Sequence, residues 1–248
     1  MIADTVAAIS TAPGRGAIAV VRVSGPESIE IADRLFKGKE PLSLSRTHSV
    51  RHGKLTDPSG RVLDEVLVCV MRAPETFTGE DIVEVSCHGG PVTSQLVLEA
   101  FLSCGCRMAD PGEFTKRAFL NNRMDLAQAE AVAELVAAKT REAAGRALRQ
   151  LEGELSEEIS KVRASVVSVL SEVEAVIDFP EDVPDPPESA TLVRTLEECR
   201  DTLAVLVSER RVAAVLKAGA MTPIIGRPNV GKSSLLNAIV GRSRAIVA

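Results

Sequence analysis

Ala144, Leu148, Leu151, Leu155, Ile159, Val162, Val166, Val169, Val173 and Val176 recur at steps of three and four, and no other feature constrains the fold of this chain so strongly. The spacing predicts one continuous helix about 50 Å long at 1.5 Å per residue, with a single apolar stripe. Phe179-Pro180 ends it, and Pro180, Pro184, Pro186 and Pro187 predict a stiff acidic connector. Leu192, Leu196, Cys199, Leu203, Leu206 and Leu216 then mark a returning helix. Two antiparallel helices cannot bury stripes of that length on each other alone. More helix is expected, from a partner chain or from sequence beyond this one. Just upstream, Asp125-Leu126-Ala127-Gln128 predicts a helix start, with Asp125 as N-cap and Gln128 completing a capping box.

Residues 1–121 have a different texture. Short apolar runs, Ile18–Val23, Val62–Val70 and Ile82–Ser86, alternate with Gly and Pro and predict strands. A helix is expected over Val92–Ser103, stopped at Cys104-Gly105, and another after Pro111-Gly112-Glu113. The fold class is therefore α+β. It comprises a mixed α/β domain over 1–121, the first half of a long-helix domain over 122–217, and a third segment over 218–248.

That third segment carries a phosphate-binding loop, Gly226-Arg227-Pro228-Asn229-Val230-Gly231-Lys232-Ser233-Ser234. Thr222–Ile225 predicts a strand before it and Ser233–Val240 a helix after it, ended by Gly241, which is the context such a loop needs. The two glycines let backbone N–H groups converge on a phosphate chain, where the helix dipole favours negative charge. Lys232 would stabilise charge on the β- and γ-phosphates, and Ser233 would offer its hydroxyl to a magnesium ion. A guanine-reading segment, a second magnesium ligand and a water-positioning residue would lie past Ala248, and the strand starting at Arg244 breaks off early. The loop reads phosphates and leaves the base open, and the chain is expected to be a fragment without nucleotide hydrolysis of its own.

Net charge is −5, which argues against a surface coated for general nucleic-acid binding and leaves room only for a local RNA contact. The five cysteines have no zinc spacing and are expected to be reduced thiols. Neither a signal peptide nor a membrane span is predicted, so a cytoplasmic location is expected. Within the strand runs Arg22 lies between Val21 and Val23, and Glu84 between Val83 and Val85. Each needs an opposite charge or a polar ligand if buried. A structural ion pair or the solvent side of an edge strand would explain them. So would a ligand site, in which a carboxylate holds the adjacent N–H donors of a pterin or guanine ring. His88, before Gly89-Gly90-Pro91, is read as a turn residue, and no nucleophile is predicted.

Pro13-Gly14-Arg15-Gly16, Arg22-Val23-Ser24-Gly25, Phe77-Thr78-Gly79-Glu80-Asp81, His88-Gly89-Gly90-Pro91, Pro111–Asn121, Met124–Ala131 and Ile177-Asp178-Phe179-Pro180, in that order, resemble the MnmE (TrmE) family of tRNA modification GTPases. The resemblance implies a folate-binding N-terminal domain that forms a homodimer, a central helical domain, and a G domain inserted into it. It implies 5-formyltetrahydrofolate contacts at Arg22, Glu84 and Arg123, the last position often lysine in relatives. It also implies a potassium ligand at Asn229, a magnesium ligand at Ser233, and a GTP cradle of Asn229, Val230, Gly231, Lys232, Ser233 and Ser234. The implied activity is potassium-stimulated GTP hydrolysis. With the flavoprotein MnmG it installs an aminomethyl-type (carboxymethylaminomethyl) group at carbon 5 of the wobble uridine of certain tRNAs, with folate supplying one carbon. Two other functions fit parts of the pattern: a switch GTPase of the ribosome-assembly type, which needs no Arg22 and Glu84 site, and a dimerising fragment without catalysis.

Overall fold

A computed structural model describes residues 4–179, 188–218, 223–228 and 230–241, without the side chains of 209–218 and 240. The chain divides into two compact units, 1–137 with 144–161, and 138–143 with 162–248.

The first unit is built on strands β1 (Val6–Ile9), β2 (Ile18–Ser24), β3 (Phe36–Gly38), β4 (Ser49–Thr56), β5 (Val62–Met71), β6 (Ile82–His88) and β7 (Arg107–Met108). They form one mixed sheet in the order β3-β4-β5-β6-β2-β1-β7, antiparallel except for the β1–β7 pair. Helices α1 (Ser28–Leu35) and α2 (Pro91–Ser103) carry Ile31, Leu35, Val97 and Phe101 into the core with Val21, Val23, Val68, Val70, Val83 and Val85 of the sheet. Those valines alternate along their strands, so the central strands β2, β5 and β6 present an apolar, buried face to the two helices. The intervening residues, Arg22, Glu84 and Cys69 among them, lie on the opposite face.

Beyond the sheet come α3 (Glu113–Leu120), α4 (Leu126–Ala137) and α5 (Arg141–Leu151). The predicted capping box forms: the Gln128 backbone N–H donates to Asp125 Oδ1 at 2.9 Å, and the Asp125 N–H donates to Gln128 Oε1 at 2.9 Å. The remaining Gln128 amide hydrogens serve a second purpose. Gln128 Nε2 donates to the Leu151 carbonyl at 2.9 Å, and Gln150 Nε2 donates to that of Ala127 at 2.8 Å, locking the start of α4 to the end of α5.

The stripe does not form one helix. It is divided between α5 and α6 (Glu154–Asp178) by Glu152 and Gly153, the latter at φ 98°. A left-handed residue with no Cβ penalty closes the first helix and restarts the second, whose Glu157 N–H donates to the Gly153 carbonyl. The expected stripe positions lie on both sides of the break, because a periodic pattern does not register one residue's φ. In the second unit, α6 ends at Asp178 as expected and the returning helix is α7 (Ser189–Ala218). Cys199 is buried there, but Ile159, Val166 and Val173 of α6 and Leu196 and Leu203 of α7 stay exposed, as expected for stripes that two helices cannot cover. The proline connector 180–187 lies outside the described residues. So do Thr222 and the strand predicted from Arg244. Pro223–Ile225, where a strand was expected, is not in a strand. The last helix, α8 (Lys232–Val240), ends at Gly241 with φ 67°.

Candidate functional site

Arg22 and Glu84 are Cα partners on β2 and β6, two central strands of the sheet, so the edge-strand explanation falls. Antiparallel neighbours meet side by side on one face, and the two charges do so here. Arg22 Nε donates to Glu84 Oε1 at 2.8 Å and Nη2 lies 2.6 Å from the same oxygen. Both side chains remain about a quarter exposed, 25% and 28%, so the pair opens toward solvent on the face that α1 and α2 do not cover. The guanidinium carbon of Arg22 is also 5.3 Å from the Phe77 ring centroid and 5.4 Å from that of Phe114, within cation–π range of both. Among the described residues, Arg22 Nη1 and Glu84 Oε2 carry no hydrogen bond. The arrangement thus offers one donor and one acceptor side by side beside two phenyl rings, which suits a flat heterocycle with an amide-like edge.

Phe77 belongs to the loop between β5 and β6, and several polar bonds hold that loop. Ser24, fully buried on β2, donates its hydroxyl to Glu80 Oε2 at 2.8 Å. With that hydrogen spent, Thr78 Oγ1 must be the donor in its 2.7 Å bond to Ser24 Oγ. Asn121 Nδ2 donates to the Thr78 carbonyl at 2.7 Å, and Arg123 Nε donates to the Thr76 carbonyl at 3.0 Å. Arg123 therefore lies along the loop, its aliphatic stem beside Gly79, where an added Cβ would come within 3.1 Å of Arg123 Cγ. The structure places Arg22 and Glu84 together and sets Arg123 on the loop that carries Phe77.

Beside this loop is an ion network centred on a buried arginine. Arg117 of α3 is completely inaccessible to solvent and uses every nitrogen. Nε and Nη2 donate to Glu113 Oε1 at 3.2 and 2.9 Å, and Nη1 reaches the Asp4 carbonyl at 2.9 Å and Glu80 Oε2 at 3.1 Å. Nη2 also reaches Asp4 Oδ1 at 2.8 Å. Arg107 clamps both Glu113 oxygens, at 2.6 and 3.0 Å, and bonds Asp4 Oδ2 at 2.7 Å. Hydrogen bonds from Arg107 hold the Glu113 carboxyl down to about 2, outweighing burial, which acts the other way. Arg107 also lowers the Asp4 carboxyl. Burial lowers the Arg117 guanidinium pKa, but the bonds to Glu113 and Glu80 more than reverse that effect and keep it charged. Phe77, Phe114 and this network are absent from the sequence-derived site. Six phenylalanines in a chain with neither Trp nor Tyr were the available signal, but nothing in their spacing joins Phe77 to Phe114.

The phosphate loop belongs to the second unit. Gly231 precedes α8 at φ 92°, leaving the first N–H groups of that helix directed at the loop. The Lys232 ammonium donates to the carbonyls of Gly226 and Arg227 at 3.0 and 2.6 Å, which folds the lysine back over the loop. Val230 and Gly231 are exposed, while Lys232 and Ser233 are half-buried. This donor set fits a nucleotide phosphate: a helix N-terminus, a lysine and a serine at the second helical position. Asn229 lies outside the described residues. Elsewhere, His88 is not a turn residue as expected but the last residue of β6, paired with Ile18, and Asp64 accepts its backbone N–H at 2.7 Å and lies 2.7 Å from its Nδ1. All five cysteines are free thiols. Among the described residues no helix is long and apolar enough to cross a membrane.

Three family models match the chain in succession: the GTP-binding protein TrmE N-terminus over residues 5–123, the MnmE helical domain over 126–227, and a 50S ribosome-binding GTPase over 222–248. Among curated proteins, the tRNA modification GTPase MnmE of Geobacillus thermodenitrificans is 51% identical, with 98% of this chain and 54% of that protein aligned. Those of Listeria welshimeri and Bacillus subtilis are 50% and 48% identical, again over 98% of this chain and 53% and 54% of their own lengths. The chain spans about half the length of the curated relatives it matches.

Proposed function

Because the chain belongs to the MnmE family of tRNA modification GTPases, we propose that its first unit binds a reduced folate at Arg22 and Glu84 while its phosphate loop binds GTP. One observation carries the folate reading: a partly exposed Arg22–Glu84 pair on central strands, with two aromatic rings at 5.3 and 5.4 Å. Glu84 would accept from the pterin N–H edge and Arg22 would donate to its carbonyl, with the rings excluding water from that edge. Arg123 would add positive charge for the folate's carboxylates. The ligand would be 5-formyltetrahydrofolate or a related tetrahydrofolate, which supplies the one-carbon unit.

At the loop, backbone N–H groups of Val230, Gly231 and Ser234 would cradle the phosphates. Lys232 would leave the Gly226 and Arg227 carbonyls for the β- and γ-oxygens, and Ser233 would ligate magnesium. Asn229 would hold the potassium ion, which supplies positive charge where other GTPases use an arginine. In this proposal the chain works as a homodimer through residues 1–121, with 122–217 helical and 218–248 opening a G domain. Given a complete G domain, and together with the flavoprotein MnmG in the cytoplasm, it would install the aminomethyl-type group at carbon 5 of the wobble uridine in certain tRNAs.

Titration calorimetry of this chain with 5-formyltetrahydrofolate tests the reading. Binding is expected, and Glu84→Ala should weaken it at least about tenfold, the loss of one charge-assisted hydrogen bond. A folded wild-type chain without folate affinity would refute it and leave the ribosome-type switch, which the match over 222–248 also allows.

A further inference from the structure

Two of the three carboxylate partners of Arg117 lie close in sequence to a wall of the Arg22 site. Glu80 is three residues from Phe77 in the same loop, and Glu113 immediately precedes Phe114 at the start of α3. Glu80 is bonded in addition to Ser24, two residues along β2 from Arg22. A single guanidinium that grips Glu80 at 3.1 Å and Glu113 at 2.9 Å therefore fixes the spacing between the two elements that carry the rings. Asp4, bonded through both its carbonyl and its carboxylate, ties the same guanidinium to the lead-in of β1.

We propose that Arg117 is a positioning residue for the ligand site: it touches no ligand itself, and it sets the Phe77–Phe114 frame within which Arg22 and Glu84 meet a flat heterocycle. The proposal rests on the folate reading. Stability alone is a poor reason for such a network. A fully buried arginine among carboxylates seldom outperforms well-packed apolar side chains, because the guanidinium, Glu80 and Glu113 give up most of their hydration, whereas a rigid multidentate fork is well suited to holding several elements in one geometry. Lysine would keep the charge here but gather all donors at one point, so it cannot grip Asp4, Glu80 and Glu113 at their present separations.

Arg117→Lys in this chain, labelled with 4-fluorophenylalanine at its six phenylalanines, is the test. Two readouts are needed: fluorine NMR without ligand, and calorimetry with 5-formyltetrahydrofolate. The variant should bind with unchanged stoichiometry and at least tenfold higher Kd. The Phe77 and Phe114 signals should move or broaden, while that of Phe101, which α2 carries fully buried into the core, stays in place. A merely structural role predicts the reverse pattern: a lower melting temperature, a displaced Phe101 signal and an unchanged Kd for the folded fraction. That result overturns the proposal, as does a folded variant with wild-type Kd and unmoved Phe77 and Phe114 signals. If Arg117→Lys fails to fold, Glu80→Gln, which leaves Arg117 its Asp4 and Glu113 partners, is judged by the same two readouts. Absence of folate binding by the wild type would defeat the folate reading instead, and the fluorine signals would still decide whether Arg117 sets the frame.

Discussion

Glu113→Gln should cost the first unit about 3 kcal/mol of stability at pH 7 and almost nothing at pH 2. The carboxyl is 7% exposed, accepts two bonds from Arg107, and is held at about 2 against an ordinary 4.5. Each unit of that depression corresponds to about 1.4 kcal/mol of preference for the charged form in the folded state, hence about 3 kcal/mol overall. A depressed carboxyl contributes fully above its unfolded pKa and loses that contribution as pH falls through its folded pKa. The window therefore runs from about pH 4.5 down to about 2. Glutamine keeps the size and one acceptor but cannot be charged, so it imitates the protonated acid at every pH. Urea unfolding of both proteins, followed by circular dichroism since the chain has neither Trp nor Tyr, should show a constant gap above pH 5 that closes toward pH 2. Asp4 is lowered by the same Arg107, but it titrates in both proteins and cancels to first order. A gap that persists unchanged at pH 2, or none at pH 7, would refute the electrostatic account of this network.

Gly89→Ala should lower the melting temperature, because an added Cβ would lie 2.5 Å from the Gly16 carbonyl oxygen and 2.7 Å from Ile18 N, backbone atoms that cannot turn aside. A cost of about 1–3 kcal/mol is expected, and an unchanged melting curve would show that the 13–17 loop yields freely. Burial pushes the Cys106 thiol up to about 12, so iodoacetamide at pH 8 should leave it unmodified in the native chain and label it in urea. Rapid native labelling counts against that burial. In a full-length protein, Lys232→Ala should reduce GTP hydrolysis at least about a hundredfold while folate affinity stays at wild-type level, and persistent turnover would remove Lys232 from the phosphate site.

The sequence alone carried the periodic and local features. Short apolar runs marked β2, β5 and β6, the Asp125 and Gln128 capping box formed as written, and the phosphate loop stood out because its glycines, lysine and serine fall within nine residues. These signals are contiguous, so one window of chain contains both cause and effect. Short β1, β3 and β7 were missed because four, three and two residues hold too little pattern to register, and the longer β4 was missed because Arg51, His52, Gly53 and Lys54 interrupt any apolar run. The break at Gly153 was missed because it depends on one backbone angle within an otherwise unbroken stripe. Arg22 and Glu84 could be singled out as charges among valines, yet nothing in the chain said that they face each other. That pairing depends on the register between β2 and β6, which lie 62 residues apart. The same holds for Arg117, whose partners at 4, 80 and 113 converge only when β1, the β5–β6 loop and α3 are packed together. Local chemistry fixes which elements form; the placement of charges across them is decided by tertiary packing, because a buried guanidinium can be satisfied only by groups that the whole fold brings within hydrogen-bond reach.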